Sequence, residues 1–501
     1  GQRRLMNRLY KLNEQNLMQN KILNRSLLLF LVIWALVGTK VAVSQDIQKG
    51  QEISLDQMIE MAIANSPEIK RALLAVKDAD QLVKIAYGEV FPDVTSSISY
   101  TKNIEIPVNY IPAKLFDPTA PDGLLAPVEF GTDNNWQGGF TVEQNLFKGE
   151  ALVGISSSTV FKLVQQENFR AISQQIITQV RVAYYSVLAA NEQLRLQQAQ
   201  IDRLDQNIKE NEVRAKAGII DEYDVLRLKV QLSNQTPLLV QAKYALAEAY
   251  RTLKVISGLP NTFDFKVKGN LNSFDILSKD ANNTDNLKIK EIDRMNPFEF
   301  SALSVDPADL VAYRGDLRVI DATIGLKDKE ITAVKSRFLP TLTASYNLQW
   351  SAAEPGAPTF FENSNRFQTF GLNLSFPLFQ GFERVANVNR ANIQRKDLEE
   401  QKRATFLTAN NEVASASEKV NETFETSNAR KAAVSLAKDG YERAKRRFEN
   451  GLGSQLELTE AEIQVREAEV NYAIMVFNYL SAKAQYDLAT GMVPFVDTTR
   501  D

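Results

Sequence analysis

Residues 341–350 read TLTASYNLQW. Leu342, Ala344, Tyr346, Leu348 and Trp350 alternate with Thr341, Thr343, Ser345, Asn347 and Gln349. A period of two predicts a strand with one apolar face and one polar, uncharged face. Three more segments repeat the pattern. Phe370, Leu372, Leu374 and Phe376 alternate with Thr369, Gly371, Asn373 and Ser375. Val94, Ile98 and Tyr100 alternate with Thr95, Ser97, Ser99 and Thr101. Trp136, Phe140 and Val142 alternate with Gln137, Thr141, Glu143 and Asn145. Predicted strands therefore cover about 94–104, 136–146, 341–350 and 368–378, each roughly the length of a transmembrane β-strand.

A two-layer soluble sheet gives the same alternation, so the surroundings decide. The connections within each pair are long. Residues 105–135 hold five of the sixteen prolines, and 351–366 are rich in Gly, Pro and Asn. Both read as outer loops of a bilayer-spanning sheet. Such a sheet must close, because an open edge leaves unpaired backbone groups in lipid. Four strands are too few, the smallest barrels having about eight. Several copies should therefore share one barrel.

The strands are followed by very long helices. Residues 150–217 contain no proline and only Gly154; residues 382–450 contain no proline and only Gly440. Val180, Val187, Leu194, Ile201, Ile208 and Ala215 recur every seven residues. Phe406, Val413, Val420, Ser427, Val434, Tyr441 and Phe448 do the same. Heptads with small residues beside them predict close-packed, supercoiled helices, here rods of about 100 Å. Partner helices are expected over 221–257 and 454–490, with a kink or break at Pro237.

The chain repeats itself. NLFKGE (145–150) returns as PLFQGF (377–382), and RAKAG (214–218) returns as RFENG (447–451). Gly218 and Gly258 are forty residues apart, as are Gly451 and Gly491. The expected organisation is a first repeat over 45–258, an insertion over 259–306, a second repeat over 307–491 and a tail over 492–501.

Residues 1–44 read as a signal peptide, with basic residues before SLLLFLVIWALVG (26–38) and AVS at the end; Met18 is a possible true start. They hold seven of the 58 basic residues and one of the 61 acidic ones, so the remainder carries a net −9 and suggests no nucleic acid. His and Cys are absent. That removes the commonest general base, thiol chemistry and a lipid on an N-terminal cysteine. No cofactor, metal site or catalytic constellation is expected.

In this order and duplication, the chain resembles the TolC-like outer-membrane efflux protein family. SLDQMIEMAIANSPEIKRA (54–72) resembles the family's opening helices, LFKG and LFQG its strand-to-helix junctions, and RAKAGIIDEYDVL and RRFENGLGSQLEL its helical turns. The resemblance implies a mixed α and β membrane protein. A homotrimer would form a twelve-stranded outer-membrane barrel, four strands per protomer, continued by an α-helical periplasmic tunnel. Residues 259–306 would join a belt around the tunnel. The implied partners are a periplasmic adaptor, an inner-membrane transporter and outer-membrane lipid. The implied function is an exit duct for small molecules such as drugs and toxic compounds, or alternatively for proteins (type I secretion) or metals. A periplasmic coiled-coil scaffold is the alternative of another class.

Under that resemblance Thr341, Thr343, Ser345, Asn347, Gln349, Thr369, Asn373 and Ser375 would line the lumen, while Trp136, Phe140, Tyr346, Trp350, Phe370 and Phe376 would face lipid. Family gates carry acids in the second of the two helical turns, which points to Glu457 and Glu460, with Asp224 their first-half counterpart. Glu457 and Glu460 stand at i and i+3, on one helical face. Acids in a first turn also complement the helix dipole, and that reading fits Asp224, whose next position of the same spacing is Arg227. Gly218, Gly451 and Gly453 would make the turns. Arg214 and Arg447, each four residues before the turn glycine, either serve the dipole, tie the tip closed or contact the adaptor.

Overall fold

The computed structural model describes residues 50–271, 310, 312–355 and 364–493. Gly1–Gln51 group apart from Glu52–Asp501, the unit that carries the strands and helices. The expected signal peptide, the tail beyond 493 and most of the 259–306 insertion lie outside the described residues.

A short strand β1 (Glu52–Ile53) leads into α1 (Leu55–Asn65) and α2 (Pro67–Gly88). Ser54 caps α1 in a capping box: its hydroxyl accepts from Gln57 N at 3.3 Å and its own N–H donates to Gln57 Oε1 at 3.0 Å. Pro67 opens α2, where its missing N–H costs nothing.

Then come β2 (Asp93–Lys102), β3 (Val108–Pro112), β4 (Leu125–Glu129) and β5 (Asn134–Phe147). The connection read from sequence as a loop contains the hairpin β3–β4 and a short 3₁₀ turn, Ala113–Leu115. Prolines at 112 and 127 hid it, because proline weakens a strand signal and is tolerated mainly in edge positions. The rod α3 (Gly149–Lys216) follows, then α4 (Glu222–Ile256) and β6 (Lys266–Val267), which pairs parallel with β1. The Tyr184 hydroxyl on α3 fixes this pair by reaching the carbonyls of Ile53 and Lys268, at 3.0 and 2.6 Å.

The second half runs α5 (Gly315–Ser336), β7 (Thr341–Glu354), β8 (Asn365–Ser375), α6 (Glu383–Glu449) and α7 (Gln455–Thr490). The two rods are 68 and 67 residues long, and their partner helices 35 and 36. Pro237 lies inside α4, which continues through it. Rod α3 packs along α4, α5 and α7, and α6 along α7. The heptad positions Val180, Val187, Ile208, Val413, Val420 and Ser427 are buried in these contacts.

Four strands form one sheet in the order β2-β5-β7-β8, every neighbour antiparallel. The second strand of the first half thus pairs with the first strand of the second. β2 and β8 are left at the two edges.

Candidate functional site

Strand register sorts the sheet into two faces, since directly paired residues point the same way. Val142 pairs with Tyr346 and Tyr346 with Phe370; Phe140 pairs with Leu348; Ala344 pairs with Leu372 and Leu342 with Leu374. The apolar rows of all four strands therefore coincide. Phe140 and Trp350 meet edge to face at 6.4 Å on this side. Much of the face is bare in one copy: Ile98 is 78% exposed, Phe370 70% and Leu374 67%. Trp136 shares the face but is only 3% exposed, and Phe376 lies one residue past the end of β8.

The opposite face is polar and self-bonded across strands. Thr141 Oγ1 donates to Asn347 Oδ1 at 2.9 Å, Asn347 Nδ2 to Thr369 Oγ1 at 3.4 Å, and Gln349 Nε2 to Gln137 Oε1 at 2.9 Å. Thr343 pairs with Asn373, Thr341 with Ser375 and Ser345 with Gly371 in the same row set. All of the sequence-selected polar residues of β7 and β8 thus share one face. Gly139 allows the β5 and β7 backbones to approach: a Cβ there would stand 2.5 Å from Leu348 O.

At the far end of the rods, two turns share one geometry. Gly218 has φ +70° and Gly451 φ +72°, the left-handed conformation that a side chain disfavours. Ile219 N donates to Arg214 O at 3.0 Å and Gly218 N to Ala215 O at 2.9 Å. Leu452 N donates to Arg447 O at 2.8 Å and Gly451 N to Phe448 O at 3.0 Å. Both are Schellman caps, and they place Arg214 and Arg447 at the same position of each cap.

The side chains then diverge. Arg447 Nη2 donates to Leu452 O at 3.2 Å, and its Nε lies 3.7 Å from Glu457 Oε2, both groups half exposed. Gly453 fits beneath this pair; a Cβ there would meet Arg447 Cβ at 3.1 Å and Glu457 Oε2 at 3.2 Å. The Arg214 guanidinium lies over the Phe448 ring at 5.3 Å. Each new helix begins with a side-chain cap, Asp221 Oδ1 accepting from Tyr223 N at 2.8 Å and Ser454 Oγ from Glu457 N at 3.2 Å. Glu457 and Glu460 are exposed on α7. Asp224 is half-buried and lines a groove with Arg227, Gln455, Leu456 and Thr459. Lys229 and Glu212 pair at 2.7 Å between α4 and α3, and that ammonium holds the Glu212 carboxyl below its ordinary pKa.

Two features escaped the sequence reading. One is the Arg214–Phe448 contact, which joins residues from different halves. The other is a buried polar seam between α3 and α7, where Asn207 Nδ2 donates to Glu462 Oε1 at 3.1 Å and Asn211 Nδ2 to Gln455 Oε1 at 3.4 Å. Its signal was present as polar residues at 200, 203, 207 and 211, spaced three and four apart like an apolar stripe.

The sequence profile of the family described as outer membrane efflux protein matches residues 58–259 and 307–491. The chain belongs to the outer membrane efflux protein family. It is therefore an outer-membrane efflux protein, an exit duct, which accords with a sheet that is apolar on one face and polar on the other. Relatives are distant. The pyoverdine export outer membrane protein OpmQ of Pseudomonas aeruginosa is 22% identical over 359 residues, 71% of this chain and 67% of that one. TolC of Escherichia coli is 25% identical over 333 residues, 64% of this chain and 63% of that one. Among solved structures, CusC superposes with a TM-score of 0.67 at 15% identity, covering 91% of this chain and 96% of that one. The CmeC outer membrane channel of Campylobacter jejuni gives 0.65 at 16% identity, covering 90% of each.

Proposed function

We propose that three copies assemble edge to edge, β8 of one against β2 of the next, into a twelve-stranded barrel. The observation that carries this is the pair of open strand edges on a sheet whose apolar face is exposed. Lipid solvates that face, but it cannot solvate unpaired backbone groups. The polar faces then enclose the lumen, with Thr341, Thr343, Ser345, Asn347, Gln349, Thr369, Asn373 and Ser375 lining it. Phe140, Tyr346, Trp350 and Phe370 meet lipid. The matched rod and partner-helix lengths support an internal duplication, in which each half supplies two strands and one coiled-coil hairpin.

The rods carry the duct through the periplasm to the Gly218 and Gly451 turns, where a periplasmic adaptor and an inner-membrane transporter would engage. Small molecules are the proposed cargo. We place the mouth's carboxylates at Glu457 and Glu460: both are exposed, share a face, and begin the helix whose first turn Arg447 grips. Asp224 sits in a groove beside α7 and serves the helix start instead. No reaction is assigned to any residue.

The mass of the detergent-extracted protein tests the assembly. Three chains per particle, with higher-order mobility lost on heating, is the expected result. A monomer fully stable in detergent would overturn it.

A further inference from the structure

Glu462 lies on α7, two residues past Glu460, and is 4% exposed. Its Oε1 accepts from Asn207, whereas its Oε2 accepts no hydrogen bond among the described residues. The surrounding seam is equally unfinished. Arg203 Nη2 donates to Gln200 Oε1 at 3.2 Å, but Arg203 Nε, Gln200 Nε2 and Asn211 Oδ1 find no partner among the described residues. Buried polar groups are nearly always paired, and a half-satisfied network holds two helices less firmly than an apolar seam. The same stretch of α3 buries Leu204 and Ile208, which pack on Leu228 of α4. The stretch 200–211 lies in the tip-proximal part of the rod, beside the start of α7.

We propose that Glu462 is a proton-operated latch between α3 and α7. Protonated, it lets the seam close and holds the first turns of α7 against the first-half rod. Ionised, it leaves in the seam a charge that Asn207 and Arg203 offset only in part, which is relieved when the helices part and water enters. Glu457 and Glu460, at the start of α7, move with it. The gating consequence rests on the duct reading above; the latch itself does not.

The neighbouring charges fix the direction. Arg203 faces Glu462 from α3, and Tyr441 from α6, itself set among Lys445, Glu442 and Arg203. On its own helix Arg466 stands one turn on, held by Gln235 of α4 at 2.5 Å. Burial pushes the Glu462 carboxyl above its ordinary pKa, and the Asn207 donor and the Arg203 charge pull it partly back. The closed seam is therefore favoured in full below the ordinary carboxylate range. That advantage is lost as the pH rises through the elevated pKa.

Hydrogen–deuterium exchange of residues 455–466 in the full-length, detergent-solubilised protein tests the latch, with rates corrected for intrinsic pH dependence. Protection should fall at least roughly tenfold between about pH 5 and about pH 8. Glu462→Gln, a neutral isostere, should keep the protected state at both. Asn207→Ala, which removes a donor that favours the charged form, should move the transition to higher pH. Equal protection at both pH values, or an unchanged pH dependence in Glu462→Gln, would overturn the proposal. Planar-bilayer conductance on the same samples separates the two claims, since a non-conducting protein with the predicted exchange would refute the duct and leave the latch standing.

Discussion

The guanidinium of Arg214 lies 5.3 Å from the centre of the Phe448 ring, so the end of the first-half rod rests on the end of the second-half rod. The two residues are far apart in sequence: Arg214 accepts the outer hydrogen bond of one cap and Phe448 the inner hydrogen bond of the other. The contact fastens one helical tip to the other within a single copy. At a half-exposed site such a cation–π contact contributes about 0.5–1 kcal/mol. Phe448→Ala should therefore raise single-channel conductance while shifting the unfolding temperature only slightly. A variant with unchanged conductance would show that the tips are held elsewhere.

Arg181 and Asp487 form a buried pair at 2.7 Å, with side chains 2% and 9% exposed, tying α3 to the last turns of α7. Removing one partner leaves a charge in the interior, at a cost of about 3–5 kcal/mol. Asp487→Ala should lower thermal stability in detergent substantially. Replacing both residues by apolar ones should restore much of it, and an equal loss in single and double variants would contradict the account.

Gly218 and Gly258 have nearly the same φ, +70° and +68°, but different surroundings. A Cβ at Gly218 meets none of the described residues within 4 Å, while one at Gly258 would stand 2.5 Å from Asn65 O. Gly218→Ala should cost about 1–2 kcal/mol, the conformational penalty alone. Gly258→Ala should cost distinctly more, because α1 must also shift. Chemical denaturation of the two variants measures the difference.

The sheet faces make opposite predictions for one substitution. Leu372 lies on the apolar face and Thr369 on the polar one. An arginine facing lipid near the bilayer midplane costs about 2–4 kcal/mol, and one in a lumen costs far less. Leu372→Arg should therefore deplete the protein from the outer membrane, whereas Thr369→Arg should assemble and lower cation conductance. Fractionation with immunoblotting distinguishes these outcomes.

Much of this architecture is legible in the sequence. Alternation in TLTASYNLQW and its three companions placed the strands, and seven-residue spacing placed the rods. Both are local periodicities that follow from backbone geometry. What escaped was long-range. Phe448 scored as one more heptad residue, because nothing near it in sequence reveals that Arg214 covers its ring. Glu462 drew no reading of its own; two residues past Glu460 is roughly 200° around a helix, which turns it away from the exposed face and into the seam. The hairpin β3–β4 was lost to its prolines. Pro237 promised a kink or break, but α4 continues through it, packed along α3.

The central claim is that this chain forms an exit duct whose mouth is held by the Arg447–Glu457 grip and lined by carboxylates at Glu457 and Glu460. Single-channel recording of the purified protein in planar bilayers tests it most directly. Wild-type protein should insert as discrete, cation-selective channels of low conductance. Glu457→Ala with Glu460→Ala should conduct more and select less. Absence of any channel would contradict the duct, and unchanged conductance and selectivity in the double variant would contradict the placement of its gate.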